Sequence, residues 1–379
     1  MTGKHFFMAK EISLYIHLPF CRRKCPYCSF FVLPYKAENE ALLIEAILAH
    51  LELLRQHLLD RTLVSVYFGG GTPSVVCVDS LKLIIEKIHT LFPNPNVGVE
   101  WTIEANPEDI TLDIAKSYIK MGLNRVSLGV QSFLEHELVF LGRKAKKPQS
   151  IQAIETLYQA GFANISIDLI FELMNQSIED FEKTLQIVEN LPISHLSLYN
   201  LLIEEGSSFF RKKESLEKNR PSSEEGAKML EKAVQKLEQY GFERYEISAF
   251  CKHNLRSVHN TGYWTGREFY GIGPSAWSFI DQKRFQCVQN LSQYYNSVLK
   301  QDPLYCFSET LDFASLLNEQ IGLNLRLKEG VTKERIQSEQ NIQTIDRLKK
   351  RGWVGENKSH YFLTETGKLF YDSVQMELL

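Results

Sequence analysis

The sequence predicts an α/β fold, a partial (β/α)6 barrel followed by a mainly helical, winged-helix-like C-terminal domain. Three observations predict it. Short, β-branched apolar runs alternate with amphipathic stretches from residue 11 to 250, the signature of βα units around a parallel sheet. Polar motifs fall repeatedly at the carboxyl ends of those runs, where parallel α/β folds place ligands. A chain of 379 residues is also long enough for a barrel with an appendage.

Strands are expected at 13–18, 64–68, 99–104, 125–130, 166–170 and 195–200, and helices at 40–59, 81–91, 112–121, 151–160, 178–190 and 223–240. Six units fall short of the eight in a closed barrel, so residues 1–250 are expected to form an open one. Residues 251–289 read as a linking segment. Residues 290–379 read as a helical domain: a helical run, a helix at 336–351, a hairpin at 353–364 and a closing helix at 365–378. That succession would also suit a winged-helix DNA binder, but its charge is mixed, which favours a lid or docking appendage. The charged stretch 211–225 reads as a solvated loop, and there is no internal repeat.

Hydrophobic content of 44% and charged content of 23% are those of a soluble globular protein. No apolar run approaches the roughly 20 residues that span a bilayer. The start of the chain, with Lys4, His5, Phe6, Phe7 and Lys10, reads as too short for a secretion signal, so a cytoplasmic location is expected. A net charge of -3 gives no footprint for a nucleic-acid backbone. Among the seven cysteines, Cys77, Cys251, Cys287 and Cys306 are scattered, so no disulfide framework is expected. Cys77 and Cys306 are expected to be buried thiols.

The other three cysteines lie in Cys21-Arg22-Arg23-Lys24-Cys25-Pro26-Tyr27-Cys28, directly after the first strand. This C-x3-C-x2-C spacing can bind a [4Fe-4S] cluster and leave one iron open to a small molecule, since ordinary electron-transfer clusters take four cysteines. A structural zinc site is the alternative, but it would call for a second short Cys/His element, and the sequence has none. Arg22 and Lys24 are placed to offset thiolate charge. Gly69-Gly70-Gly71-Thr72-Pro73 ends the second strand, where glycines let the backbone approach a ligand and present free peptide groups. Without Gly-Lys-Ser/Thr or an opening G-x-G-x-x-G it does not imply a nucleotide phosphate, and alone it reads equally as a tight turn. Glu104-Ala105-Asn106-Pro107 and Gly129-Val130-Gln131-Ser132 end the third and fourth strands, and Asp168 lies in the fifth.

The strand Ser13-Leu14-Tyr15-Ile16-His17-Leu18-Pro19-Phe20 and its cysteine loop resemble the start of radical S-adenosylmethionine (SAM) proteins, within them the oxygen-independent coproporphyrinogen III oxidase group. The resemblance runs over nearly the whole chain and implies a partial (β/α)6 radical SAM barrel. It implies that Cys21, Cys25 and Cys28 ligate the cluster, with Tyr15 and Tyr27 packed nearby. It further implies that Gly70, Gly71, Thr72, Glu104, Gln131, Arg143 and Asp168 contact SAM. Chemically, Glu104 can accept from the SAM ammonium, Arg143 can pair with its carboxylate, and Asp168 or Gln131 can bond ribose or adenine.

Further on, His259-Asn260-Thr261-Gly262-Tyr263-Trp264 resembles the H-N-x-x-Y-W motif of the HemW branch of haem chaperones, as does Glu243-Arg244-Tyr245-Glu246-Ile247-Ser248 before it. The resemblance makes His259 a candidate axial ligand for haem, with Tyr263 and Trp264 stacking on the porphyrin. Read from the residues alone, these would be a core histidine and two packed aromatics. Cys251, His253, His195 and Tyr199 are rival iron ligands. The oxidase extends its motif to C-x3-C-x2-C-x-C and carries a long segment ahead of it; here Phe30 holds the fourth position, and a phenyl ring cannot act as a thiol. The resemblance therefore points to a haem chaperone that uses the cluster, SAM and haem, with a haem-receiving protein as partner and a homodimer left open. Its alternative is a radical SAM coproporphyrinogen III oxidase of porphyrin metabolism; a radical SAM enzyme acting on RNA or peptide fits less well. No catalytic residue is assigned.

Overall fold

The computed structural model describes residues 10–93, 98–300 and 302–378; Lys4, His5, Phe6 and Phe7 lie outside them. Six parallel strands, β1 (Lys10–Leu18), β2 (Arg61–Gly70), β3 (Glu100–Ala105), β4 (Arg125–Gln131), β5 (Asn164–Phe171) and β6 (His195–Asn200), stand in chain order. Helices α1 (Ala37–Leu53), α2 (Val78–Leu91), α3 (Leu112–Lys120), α4 (Lys147–Ala160), α5 (Ile178–Val188) and α6 (Ser223–Gln239) follow them. Their starts are chemically marked. Thr111 and Ser177 cap α3 and α5 through their hydroxyls, and Ser222 with Glu225 forms a capping box on α6.

The strands alternate with a period of two. On β1, Ile12, Leu14, Ile16 and Leu18 join the large core, as do Val66 and Phe68 of β2 and Ile165, Ile167 and Leu169 of β5. The intervening residues are polar and meet one another across the inner face. Ser65 Oγ donates to Ser13 Oγ at 2.9 Å, the Tyr67 hydroxyl donates to Glu104 at 2.9 Å, and Arg125 Nη2 lies 3.3 Å from His195 Nδ1. The barrel therefore has an apolar shell under its helices and a polar interior.

Residues 251–289 are not a linker. After the short strands β7 (Glu243–Arg244) and β8 (Ala249–Cys251) and helix α7 (Val258–Thr265), strand β9 (Glu268–Ile272) pairs parallel with β1, Tyr15 facing Gly271. Strands β10 (Trp277–Ile280), β11 (Lys283–Cys287) and β12 (Tyr305–Thr310) then extend the sheet antiparallel, giving twelve strands in the order β12-β11-β10-β9-β1-β2-β3-β4-β5-β6-β8-β7. The boundary expected at 290 also moves. Leu291, Tyr294 and Val298 of α8 (Leu291–Lys300) pack into the large core. A second core gathers Ile321, Val331, Ile345, Val354, Leu363 and Val374. Helices α9 (Phe313–Asn324), α10 (Glu339–Lys350) and α11 (Tyr371–Leu378) surround it with a small sheet that includes the expected hairpin, Val354–Glu356 with His360–Leu363. Cys77 and Cys306, expected inside, are exposed. Cys77 precedes α2 and Cys306 sits on edge strand β12.

Candidate cofactor site

The cysteine loop leaves β1 and returns through a two-residue parallel pairing of Phe20–Cys21 with Leu33–Pro34. Leu33 N donates to Pro19 O at 2.7 Å and Tyr35 N to Cys21 O at 3.1 Å, so the loop is closed at its base. Within it Cys28 N donates to Cys25 O at 3.1 Å. All three thiols are half-buried and line one cavity of about 430 Å³ at the carboxyl ends of the strands. Burial raises the Cys21 thiol to about 11, against a hydrogen bond with Thr72 Oγ1 at 3.4 Å.

Gly70, Gly71, Thr72, Glu104, Gln131 and Arg143 line the same cavity, and so do Asp168 and Tyr27. Tyr15 lies one layer below, its ring edge where a Cβ on Gly69 would fall and its ring stacked on Tyr67 at 6.2 Å. The glycine turn does not present free peptide groups as expected. Gly71 N and Thr72 N donate to Leu18 O and Phe20 O at 2.9 and 2.8 Å, and Gly70 N to Glu104 Oε2 at 3.2 Å. Its glycines serve close packing instead: Gly70 has φ 110, and a Cβ there would come within 2.6 Å of the His17 ring. Gln131, with φ 70 at a bulge between β4 and β5, is a strained non-glycine in the cavity wall.

Charge is distributed in two levels. Glu104 is held by the Tyr67 hydroxyl and Gly70 N, yet burial lifts its carboxyl to about 7, with Asp168 adding to the rise. Burial also raises Asp168, whose oxygens both lie 3.4 Å from Ser127 Oγ. Of the two cations expected to offset the thiolates, Arg22 is engaged by Asp109 instead, while the charge of Lys24, whose Nζ donates to Phe30 O at 3.1 Å, acts to lower the Cys28 thiol that burial raises. The cation that touches a thiol is Arg143, with Nη1 3.7 Å from Cys25 Sγ and Nη2 2.8 Å from Asn106 Oδ1. Asn106 stood in a strand-end motif of the sequence without a role, and sequence reasoning missed Ser74 and Asp109, which lie in the short turns after β2 and β3.

His259, Tyr263 and Trp264 do not line this cavity. His259 is buried beneath the cavity, its ring 5.0 Å from that of Tyr67, its Nδ1 2.9 Å from Ser65 Oγ and its Nε2 2.8 Å from the Tyr263 hydroxyl. Both carboxylate oxygens of Glu100 accept from the first turn of α7, Val258 N and His259 N, each at 2.9 Å. Trp264 carries the Arg326 guanidinium over its ring at 4.2 Å. As placed, His259 has no open nitrogen for an iron. Of the rivals, Cys251 and His195 are buried, and His195 is bonded to Ser166 and Tyr245. His253 is exposed, and Tyr199 lines the cofactor cavity.

The family model of the Radical SAM superfamily matches residues 15–188. The heme chaperone HemW of Bacillus subtilis is 28% identical over 96% of this chain and 97% of its own. HemW of Lactococcus lactis is 32% identical over 87% and 86%, and the mitochondrial radical S-adenosyl methionine domain-containing protein 1 of Danio rerio 32% over 89% and 78%. The coproporphyrinogen III oxidase HemN of Escherichia coli superposes with a TM-score of 0.85 over 99% of this chain and 91% of its own, at 21% identity, which shows the shared fold alone. The chain belongs to the HemW family of radical SAM proteins.

The donor set suits what a radical SAM protein holds. Among the described residues no three His, Cys, Asp or Glu side chains converge on a single ion. Three thiols instead share one cavity wall, as a multi-iron group requires. Arg143 Nε is buried with no partner, a donor left over for an anionic ligand group.

Proposed function

We propose that the chain is a cytoplasmic haem chaperone that binds a [4Fe-4S] cluster, SAM and haem and passes haem to a haem-receiving protein. The observation that carries this reading is the match to relatives named heme chaperones over nearly the full length of both chains. Cys21, Cys25 and Cys28 would hold the cluster as thiolates. Glu104 would accept the SAM ammonium, Arg143 would take its carboxylate, and Gln131 and Asp168 would position its nucleoside. A bound cluster of this kind supplies one electron at its unligated iron. Around it the chain's own residues bind and orient: the Gly70 turn fixes Glu104, and Asn106 and the Gly129 carbonyl fix Arg143. Phe30 in place of a fourth cysteine argues against the oxidase reading. Among the described residues no helix is long and apolar enough to cross a membrane.

The test is anaerobic reconstitution with iron and sulfide, then haem titration by absorbance, transfer to an apo-haemoprotein, and a parallel porphyrinogen decarboxylation assay. Haem bound at one equivalent and transferred, without decarboxylation, is expected. Decarboxylation coupled to SAM cleavage would overturn the chaperone reading in favour of the oxidase.

A further inference from the structure

The cofactor cavity is polar at its base and apolar at its mouth. Three large apolar side chains line that mouth while standing open to solvent: Phe30 at 65%, Leu202 at 55% and Tyr199 at 45% exposure. They come from two segments, Phe30 from the end of the cysteine loop and Tyr199 and Leu202 from the end of β6 and the chain just after it. Exposing three such side chains around one opening costs solvation that a bound apolar surface would recover. Two cations, Arg23 and Lys24, stand on the same rim, and among the described residues neither is paired with a carboxylate. The single rim carboxylate, Glu204, is engaged by Ser29 Oγ at 2.5 Å. The mouth thus offers an apolar rim with positive charge along one side that no carboxylate neutralises, Lys24 Nζ donating only to the Phe30 carbonyl at 3.1 Å.

From this we infer that the carried haem sits at the mouth of the cofactor cavity, its ring edge and faces on Phe30, Tyr199 and Leu202, and its two propionates toward Arg23 and Lys24. The inference rests on the haem-chaperone reading and locates its cargo. Haem is the ligand whose chemistry matches: a wide apolar plane with two carboxylates on one edge. The location also gives Phe30 a role that a thiol could not fill, and it leaves His259 out of haem contact. Cargo at the mouth would cover the cluster loop, coupling haem occupancy to access to the cavity.

The experiment uses the full chain with its cluster reconstituted and titrates haem by absorbance. Leu202→Glu, which lies outside the cysteine loop, and Phe30→Glu are each expected to bind haem about tenfold or more weakly, with iron content unchanged. The double variant Arg23→Glu/Lys24→Glu is expected to weaken haem by a similar factor and leave haem dimethyl ester, which lacks the carboxylates, unaffected. If Leu202→Glu and the double variant both bind haem as the parent does, the location is overturned while the chaperone reading stands. If the parent chain itself binds no haem, both fall. Should Phe30→Glu lose iron, Leu202→Glu decides alone.

Discussion

Arg22, between the first two cysteines, donates from Nε and Nη2 to the same oxygen of Asp109, at 3.2 and 3.0 Å. The other Asp109 oxygen accepts from Ser74 Oγ at 2.8 Å, and Ser74 Oγ in turn accepts from Asn106 N at 3.1 Å. The cysteine loop is thereby fastened to the turns after β2 and β3. Arg22 is half-exposed whereas the Asp109 side chain is 3% exposed, so the anchor is the buried carboxylate.

Asp109→Ala should therefore loosen the loop more than Arg22→Ala. Removing the carboxylate leaves Ser74 and Arg22 without their partner, whereas removing Arg22 takes away one half-exposed ion pair worth about 1 kcal/mol or less. In reconstituted protein challenged with a chelator, Asp109→Ala is expected to release iron several-fold faster than the parent, and Arg22→Ala only slightly faster. Equal iron release from both variants and the parent would show that the clamp does not hold the loop.

Glu104 gives the site a pH dependence. Its carboxyl sits at about 7, above the ordinary carboxylate value, because burial outweighs the hydrogen bonds from Tyr67 and Gly70. Only the ionised form accepts an ammonium, so SAM affinity is expected to fall by about tenfold for each pH unit below about 7. Binding isotherms between pH 5.5 and 7 measure this, and Glu104→Gln should bind weakly with a flat profile. The sign for folding is the reverse. A carboxyl raised on folding favours the fold below the unfolded-state value and loses that contribution as pH rises through about 7, so Glu104→Gln should melt higher than the parent at pH 8 but not at pH 5.

Much of this arrangement could be read from the chain. Cys21, Cys25, Cys28, Glu104 and Gln131 lie at or just past strand ends and Asp168 within β5, where alternation and turn residues are visible in sequence, and the cavity assembles them. What escaped was set by long-range packing. Strand β12 reads as part of a helical run, and its pairing with β11 depends on a partner about 20 residues away. The use of Gly71 N and Thr72 N by Leu18 and Phe20 could not be foreseen either, because it depends on how closely two strand ends approach. The inner-face pattern of Ser13, Tyr15 and His17, or Arg125 and Ser127, was legible in the period of two, and marks the polar interior that the barrel carries beneath the site.

Trp264 joins the two cores. Arg326 stacks over it at 4.2 Å and over Tyr371 at 5.0 Å, and Asn324 Nδ2 donates to the Trp264 carbonyl at 2.7 Å. Trp264→Ala is expected to destabilise the contact between α7 and the C-terminal unit by about 2–4 kcal/mol. Limited proteolysis should then cut between residues 300 and 313 at protease concentrations that leave the parent intact, and haem affinity should be unchanged. Loss of haem binding with unaltered proteolysis would instead restore Trp264 as a porphyrin contact.

His259 is held neutral. Burial, followed by the charges of Arg267 and Arg125, lowers its ring to about 3, while burial alone lowers His50 to about 4. His17, also buried, is held at about 4. A histidine depressed on folding contributes stability that is present above the unfolded-state value of about 6.5 and is lost as pH falls toward the folded value, because the unfolded chain takes up the proton first. The protein should therefore lose melting temperature steadily between pH 6.5 and 4. His259→Gln, which removes one of these groups while keeping a polar side chain between Ser65 and Tyr263, should melt lower than the parent at pH 8 by the equivalent of about 1–3 kcal/mol and show a shallower decline toward pH 4. Parallel melting curves for parent and variant across that range would mean that His259 is not held neutral in the fold.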